Sequence, residues 1–205
     1  ITDHSQRVTM ANGLDSKRLL QQWKEIEQFN EALDDDFQVL KGIECDILEK
    51  GGMDLPDEIL AQADWVLAAI HYGQKQPREQ ITERLLEAIA NPYVCAVAHP
   101  TGRLLNRREA YAVDMEAIFQ AACDHKKALE LNANPVRLDL DDVQCATAKS
   151  YGIPVVINTD AHHVDGLNVM QYGVLQARRA GLTRDDVANT RTWKELRSQI
   201  GDGKK

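Results

Sequence analysis

The sequence predicts an α/β fold in which a parallel sheet is covered by helices and curves toward a barrel. Three observations predict it. Short, almost wholly apolar runs alternate with amphipathic helical runs, the pattern of strands buried on both faces and joined by crossover helices. The rhythm occurs five times, with a strand-like stub at Ile1 before it. A histidine, carboxylate or asparagine ends nearly every apolar run. In a barrel such ends share one mouth, whereas an open doubly wound sheet recruits fewer strands, near its switch point.

The elements follow in order. Asp15 to Leu33 places Leu19, Leu20, Trp23, Ile26 and Leu33 on one side of a helix, with Asp15 or Ser16 as cap. After an Asp34-Asp35-Asp36 turn, Phe37 to Ile43 is β-prone and leads to Glu44 and Asp46. Trp65 to Ile70 is a strand running into His71, and a helix from about Pro77 to Ala90 carries Ile81, Leu85, Leu86 and Ile89 on one face. Tyr93 to Ala98 is the next strand. It ends at His99-Pro100, where the proline favours an extended His99. Ala112 to Cys123 is helical, Ala128 to Leu131 is a strand tip before Asn132 and Asn134, Val143 to Tyr151 is helical, and Ile153 to Asn158 delivers Thr159-Asp160-Ala161-His162. Trp23 and Met10 are assigned to the core, and the Gly201 to Lys205 tail is expected to fray.

A chain of 205 residues, 43% hydrophobic, can bury one sizeable core, so residues 1–205 are read as a single domain. The formal charge of -8 argues against a broad polyanion-binding face. Cys45, Cys95, Cys123 and Cys145 form no CxxC pair, and read as reduced, mostly buried thiols of a cytoplasmic protein. No apolar run reaches the roughly 18 to 20 residues of a membrane span. The chain begins Ile1-Thr2-Asp3-His4, without Met and as though at the end of a strand, so upstream residues are expected.

The candidate metal ligands are His4, Glu44, His71, His99, Asp160 and His162. A single histidine at a strand end is more often a hydrogen-bonded structural residue than a ligand. The argument lies in the set, because His4, His71, His99 and His162 occupy separate strand tips, whereas His125 follows a helix. Histidine with carboxylate suits zinc, manganese or iron better than magnesium or calcium. Glu44 and Asp46 each have a bland reading as solvated loop carboxylates, but only Glu44 abuts its strand, where it can bridge two ions, so it ranks well above Asp46. Asp160 and His162, two apart on an extended segment, face the same side, with His163 opposite. Asp3 either orients a ligand imidazole or caps the strand end. Arg103, Arg107, Arg108 and Arg137 are candidate phosphate clamps, Arg103 foremost. There is no glycine-rich phosphate loop and no GxSxG elbow, which leaves a metal-activated water as the expected nucleophile.

These residues resemble the PHP (polymerase and histidinol phosphatase) superfamily, and within it the C-terminal PHP domain of bacterial family X DNA polymerases. The stretches that carry the resemblance are ITDHS at Ile1 to Ser5, ANGL at Ala11 to Leu14, GIECDIL at Gly42 to Leu48, His71, AHPTGRLLNRR at Ala98 to Arg108, LELNANPVRLDL at Leu129 to Leu140 and INTDAH at Ile157 to His162. HPTGRLL and ELNANPVRLDL are specific for the polymerase-associated branch. The resemblance implies a distorted seven-stranded β/α (TIM-like) barrel, here without most of its first two strands. It also implies up to three divalent ions, Mn, Zn or Fe, held by nine ligands. His4, Glu44, His71, His99, Asp160 and His162 match six of these, with Glu44 bridging, and an upstream His-x-His strand and a further position supply the others.

The resemblance further implies phosphoester hydrolysis, for the polymerase branch a 3′-5′ exonuclease or 3′-end processing activity on DNA ends beside a polymerase domain. Glu44, Asp160 and Arg103 are then the expected catalytic residues, Arg103 stabilising charge that develops on the phosphate. Two alternatives are carried forward: a histidinol-phosphate-type phosphatase acting on a phosphorylated small molecule, and a non-catalytic module docked on a polymerase domain.

Overall fold

A computed structural model of the chain describes residues 1–33 and 37–200. The expected turn at Asp34 to Asp36 and the expected frayed tail at Gly201 to Lys205 lie outside them. The strands are β1 (Gly42–Asp46), β2 (Trp65–Ala69), β3 (Ala96–Val97), β4 (Ala128–Asn132) and β5 (Val155–Asn158). The helices are α1 (Ser16–Glu31), α2 (Asp57–Leu60), α3 (Arg78–Ala90), α4 (Met115–Asp124), α5 (Asp142–Ser150), α6 (Met170–Arg179) and α7 (Trp193–Gln199).

All neighbouring strands are parallel, in the order β1-β2-β3-β4-β5. Each connection therefore advances the sheet in one direction, and there is no reversal of order of the kind that makes a switch point in a doubly wound sheet. The segment at His4 adds a parallel bridge to Glu44 beside β1, and Val187 adds one to Val155 beside β5. Residues from both ends of the sheet, Glu44 of β1 and Asn158 of β5, line one cavity, so the sheet curls as a barrel does. Five paired strands among the described residues are two fewer than the complete barrel that the resemblance implies.

The period of two along a strand sorts the residues. Ile43, Cys45, Val66, Ala68, Leu129, Leu131, Val155 and Ile157 face the helices and join Leu19, Trp23, Leu85 and Ile118 in the main core. On the other face, Leu67, Ala69, Ala96, Ala128 and Val156 form a second cluster with Ala188 and Ile200. Alanine dominates there because the inside of a curled sheet leaves room only for small side chains. The same parity puts Glu44, Glu130, Asn132 and Asn158 on the inner face, toward the carboxyl ends of their strands.

Several expected boundaries move. The first strand lies at Gly42–Asp46 rather than Phe37 to Ile43; Phe37 is 66% exposed, and Glu44 sits within the strand. Of Tyr93 to Ala98 only Ala96–Val97 is strand. Asp114 accepts from Ala117 N and starts α4 three residues later than Ala112. Asp15 caps α1 as expected, accepting from Arg18 N. Trp23 is buried, but Met10, 85% exposed, is not a core residue; it lies in a short 3-10 turn after His4. Cys45, Cys95 and Cys145 are buried and Cys123 is exposed, all four as free thiols. No helix among the described residues is long and apolar enough to cross a membrane.

Candidate metal centre

The strand ends converge on a cavity of about 550 Å³ whose walls include His4, Glu44, His99, Asp160 and His162. Main-chain pairing sets the first of these: Glu44 N donates to Asp3 O at 2.8 Å and Ser5 N to Glu44 O at 3.0 Å, which lays His4 alongside β1. His71 directly follows β2, and its ring lies against those of His4 and His99, with centroids 4.9 and 5.4 Å away.

Glu44 is the centre of the group. It is 7% exposed, its Oε1 lies 3.0 Å from His99 Nε2 and 3.3 Å from His71 Nε2, and its Oε2 lies 3.9 Å from His4 Nδ1. Burial by itself pushes the Glu44 carboxyl up, but the His71 and His99 imidazoles outweigh burial and hold it well below the usual range. His71 shows the converse: burial pulls it down, while hydrogen bonds to Asp46 and Glu44 lift it to about 9. His4 is lowered by burial foremost, with Glu44 opposing and His71 adding to the effect.

Ligand-type atoms of His4, Glu44 and His71 all lie within 4.8 Å of one another. Among the described residues, the buried Nδ1 atoms of His4 and His99 have no hydrogen-bond partner. A buried carboxylate facing three imidazoles, with orphaned ring nitrogens among them, fits a divalent ion of borderline softness.

The second half of the group lies across the cavity. Asp160 Oδ2 accepts from Asn132 Nδ2 and Arg137 Nε, each at 3.1 Å, which leaves Oδ1 toward the mouth, 3.7 Å from His162 Nδ1. The His162 ring is 5.7 Å from that of His4. The segment is not extended as expected: Asp160 has φ +53°, held there by its carboxylate bonds, so it is the loop geometry rather than strand alternation that brings Asp160 and His162 to one side. His163 caps the following turn.

His99 is likewise not extended, with φ +31°. Its amide donates to Glu130 Oε2 at 2.6 Å and its carbonyl accepts from Gly102 N at 2.8 Å, a tight turn that overrides the preference imposed by Pro100. Left-handed backbone at two non-glycine residues in one mouth is strain of the kind that functional sites hold, about 1 to 3 kcal/mol per residue.

Arg103 is not brought to the cavity wall. Its guanidinium donates to Arg137 O at 2.9 Å and to Leu138 O, and faces Asp141 at 3.4 Å. It holds the turn that carries Arg137. Arg108 donates to Gly102 O, and Asp3 accepts from Gln22 of α1 at 2.5 Å, which ties it to the helix rather than to an imidazole. His125 is the C-cap of α4.

Two residues were not anticipated. Glu130, 2% exposed, accepts from Asn158 Nδ2 at 2.8 Å as well as from His99 N, and burial, above the opposing effect of His99, lifts its carboxyl to about 7. Asp46, expected as a solvated carboxylate, is fully buried; its Oδ1 accepts from His71 N at 2.9 Å and lies 3.1 Å from His71 Nδ1. A polar residue on the inner parity of an apolar strand is the signal that would have found Glu130.

No family model matches the chain. The DNA polymerase/3′-5′ exonuclease PolX of Bacillus subtilis is 44% identical to it over 196 residues, covering 96% of this chain and 34% of that protein. A probable phosphatase of Thermoanaerobacter is 30% identical over 163 residues, 75% of this chain and 64% of that protein. One stretch of this chain thus aligns both with a polymerase/exonuclease and with probable phosphatases. The chain belongs to the PHP superfamily. It spans about a third of the length of the PolX relative, and about two thirds of another relative, a probable phosphatase of Caldanaerobacter subterraneus that is 29% identical over 182 residues, 81% of this chain and 69% of that protein.

Proposed function

We propose that this PHP chain carries the larger part of a divalent-metal site for phosphoester hydrolysis, acting on DNA 3′ ends as an exonuclease or end-processing activity beside a polymerase domain. The carrying observation is the group of buried Glu44 with half-buried His4 and His71, whose ligand atoms lie within 4.8 Å of one another. The extent of identity to PolX supports the DNA end as substrate. The barrel is completed, on this reading, by strands outside this sequence.

His4, Glu44, His71, His99, Asp160 and His162 are the residues that would hold the ions. When bound in such a site, divalent cations supply Lewis-acid polarisation of a phosphoryl oxygen and acidification of water. The chain's own contribution is preorganisation. Glu44 keeps three imidazoles directed at one point, Asn132 and Arg137 fix Asp160 with one carboxylate oxygen toward the mouth, and Glu130 holds the His99 turn by its amide. Arg103 acts at a remove, through the turn bearing Arg137.

In the protein extended to the length of its PolX relative, Glu44→Gln and His71→Ala are expected to lower hydrolysis of a DNA 3′ end at least about 100-fold with polymerisation retained; unchanged hydrolysis would sink the proposal. A second reading, a small-molecule phosphatase, is favoured by the probable phosphatases among the relatives and by the net charge of -8. Faster turnover of histidinol phosphate than of a DNA 3′ end would select it.

A further inference from the structure

Asp46 stands behind the group rather than in it. Its carboxylate is fully buried at the end of β1, and a buried carboxylate is costly unless its charge is used. One oxygen, Oδ1, takes both nitrogens that His71 presents on that side, the backbone N at 2.9 Å and the ring Nδ1 at 3.1 Å. The ring is thereby pinned at main chain and side chain together, and its other nitrogen, Nε2, is left toward Glu44 Oε1 at 3.3 Å.

The backbone of Asp46 extends the link. Its N–H donates to Ser5 Oγ at 3.0 Å, and Ser5 is itself fully buried and adjacent to His4. Asp46 thus connects the segment bearing His4, the strand bearing Glu44 and the loop bearing His71. These are the three residues whose ligand atoms cluster. Among the described residues Oδ2 of Asp46 has no hydrogen-bond partner, so the side-chain contacts of this carboxylate are made through Oδ1 to His71.

We propose that Asp46 is the positioning residue of this site: it fixes His71 as an Nδ1–H tautomer with Nε2 as the metal-binding nitrogen, and holds His4 and His71 in register about Glu44. This rests on the metal-site reading above. Outer carboxylates that orient a ligand imidazole typically change metal affinity by about 10- to 100-fold when removed.

The test is zinc and manganese titration of the wild-type protein, Asp46→Asn and Asp46→Ala by calorimetry, with imidazole ¹⁵N–¹H spectra of the zinc-loaded wild type. Affinity is expected to fall about 10-fold in Asp46→Asn, which keeps an acceptor without its charge, and toward about 100-fold in Asp46→Ala. His71 is expected to show Nδ1–H, protected from exchange, with Nε2 bound to zinc. Folded variants with wild-type affinity would overturn the role of Asp46 and leave the metal site standing, whereas a wild type that binds neither metal would remove both. If the variants fail to fold, the spectrum of the wild type decides: zinc on Nδ1 of His71, with the proton on Nε2, overturns the proposal.

Discussion

Loss of the His71 side chain in the metal-free protein has a pH-dependent cost that the structure sets. His71 is lifted from 6.5 to about 9, by its bonds to Asp46 and Glu44 against the opposing effect of burial, and its side chain is only 17% exposed. A folded-state pKa raised above the unfolded value means that the protonated ring stabilises the fold fully below pH 6.5, and that this contribution is lost as pH rises through about 9. At about 1.4 kcal/mol per pKa unit, the lift corresponds to about 3 kcal/mol. Urea unfolding of chelator-treated wild type and His71→Gln at pH 6 and pH 9.5 isolates it, because other titrating groups are common to both proteins. The wild-type advantage is expected to shrink by about 3 kcal/mol between the two pH values. An advantage independent of pH would refute the claim that the buried carboxylates hold a charged His71.

Gly102 has φ +62° and a Cβ there would lie 2.2 Å from the Tyr111 ring, so Gly102→Ala is expected to destabilise by at least about 2 kcal/mol, read by urea unfolding. The comparable change at Gly152, where a Cβ would meet nothing within 4 Å among the described residues, carries only the backbone cost, about 1 kcal/mol. Arg137→Ala removes one of the two donors to Asp160 Oδ2, and is expected to weaken manganese binding about 10-fold with little change in Tm; unchanged affinity would show that Asn132 alone suffices to place Asp160.

Much of the fold is legible because burial leaves a pattern. The alternation of apolar runs with helices foretold the parallel sheet, and Asp15 foretold the start of α1. Boundaries were less legible: Phe37 to Ile43 is β-prone, yet pairing with β2 begins at Gly42 opposite Trp65, and propensity does not reveal which end of an apolar run finds a partner. That slip also hid Asp46, which looks solvated when placed beyond the strand and is buried when placed within it.

In the site, strand-tip histidines announced themselves by recurrence, and Glu44 by its position. Backbone conformation did not. His99 and Asp160 adopt left-handed geometry because distant partners, Glu130 for one and Asn132 with Arg137 for the other, outweigh local preference. Arginine is equally opaque: Arg103 and Arg137 look alike in sequence, but neighbouring carbonyls occupy the first while the second reaches Asp160.

The central claim, that Glu44 and its histidines form a metal centre, is tested most directly by anomalous diffraction from crystals soaked in manganese. The expected result is a peak within coordination distance, about 2.0 to 2.2 Å, of Glu44 and of the imidazoles of His4 or His71, absent in Glu44→Gln. Full manganese soaking with no peak in that pocket would contradict it.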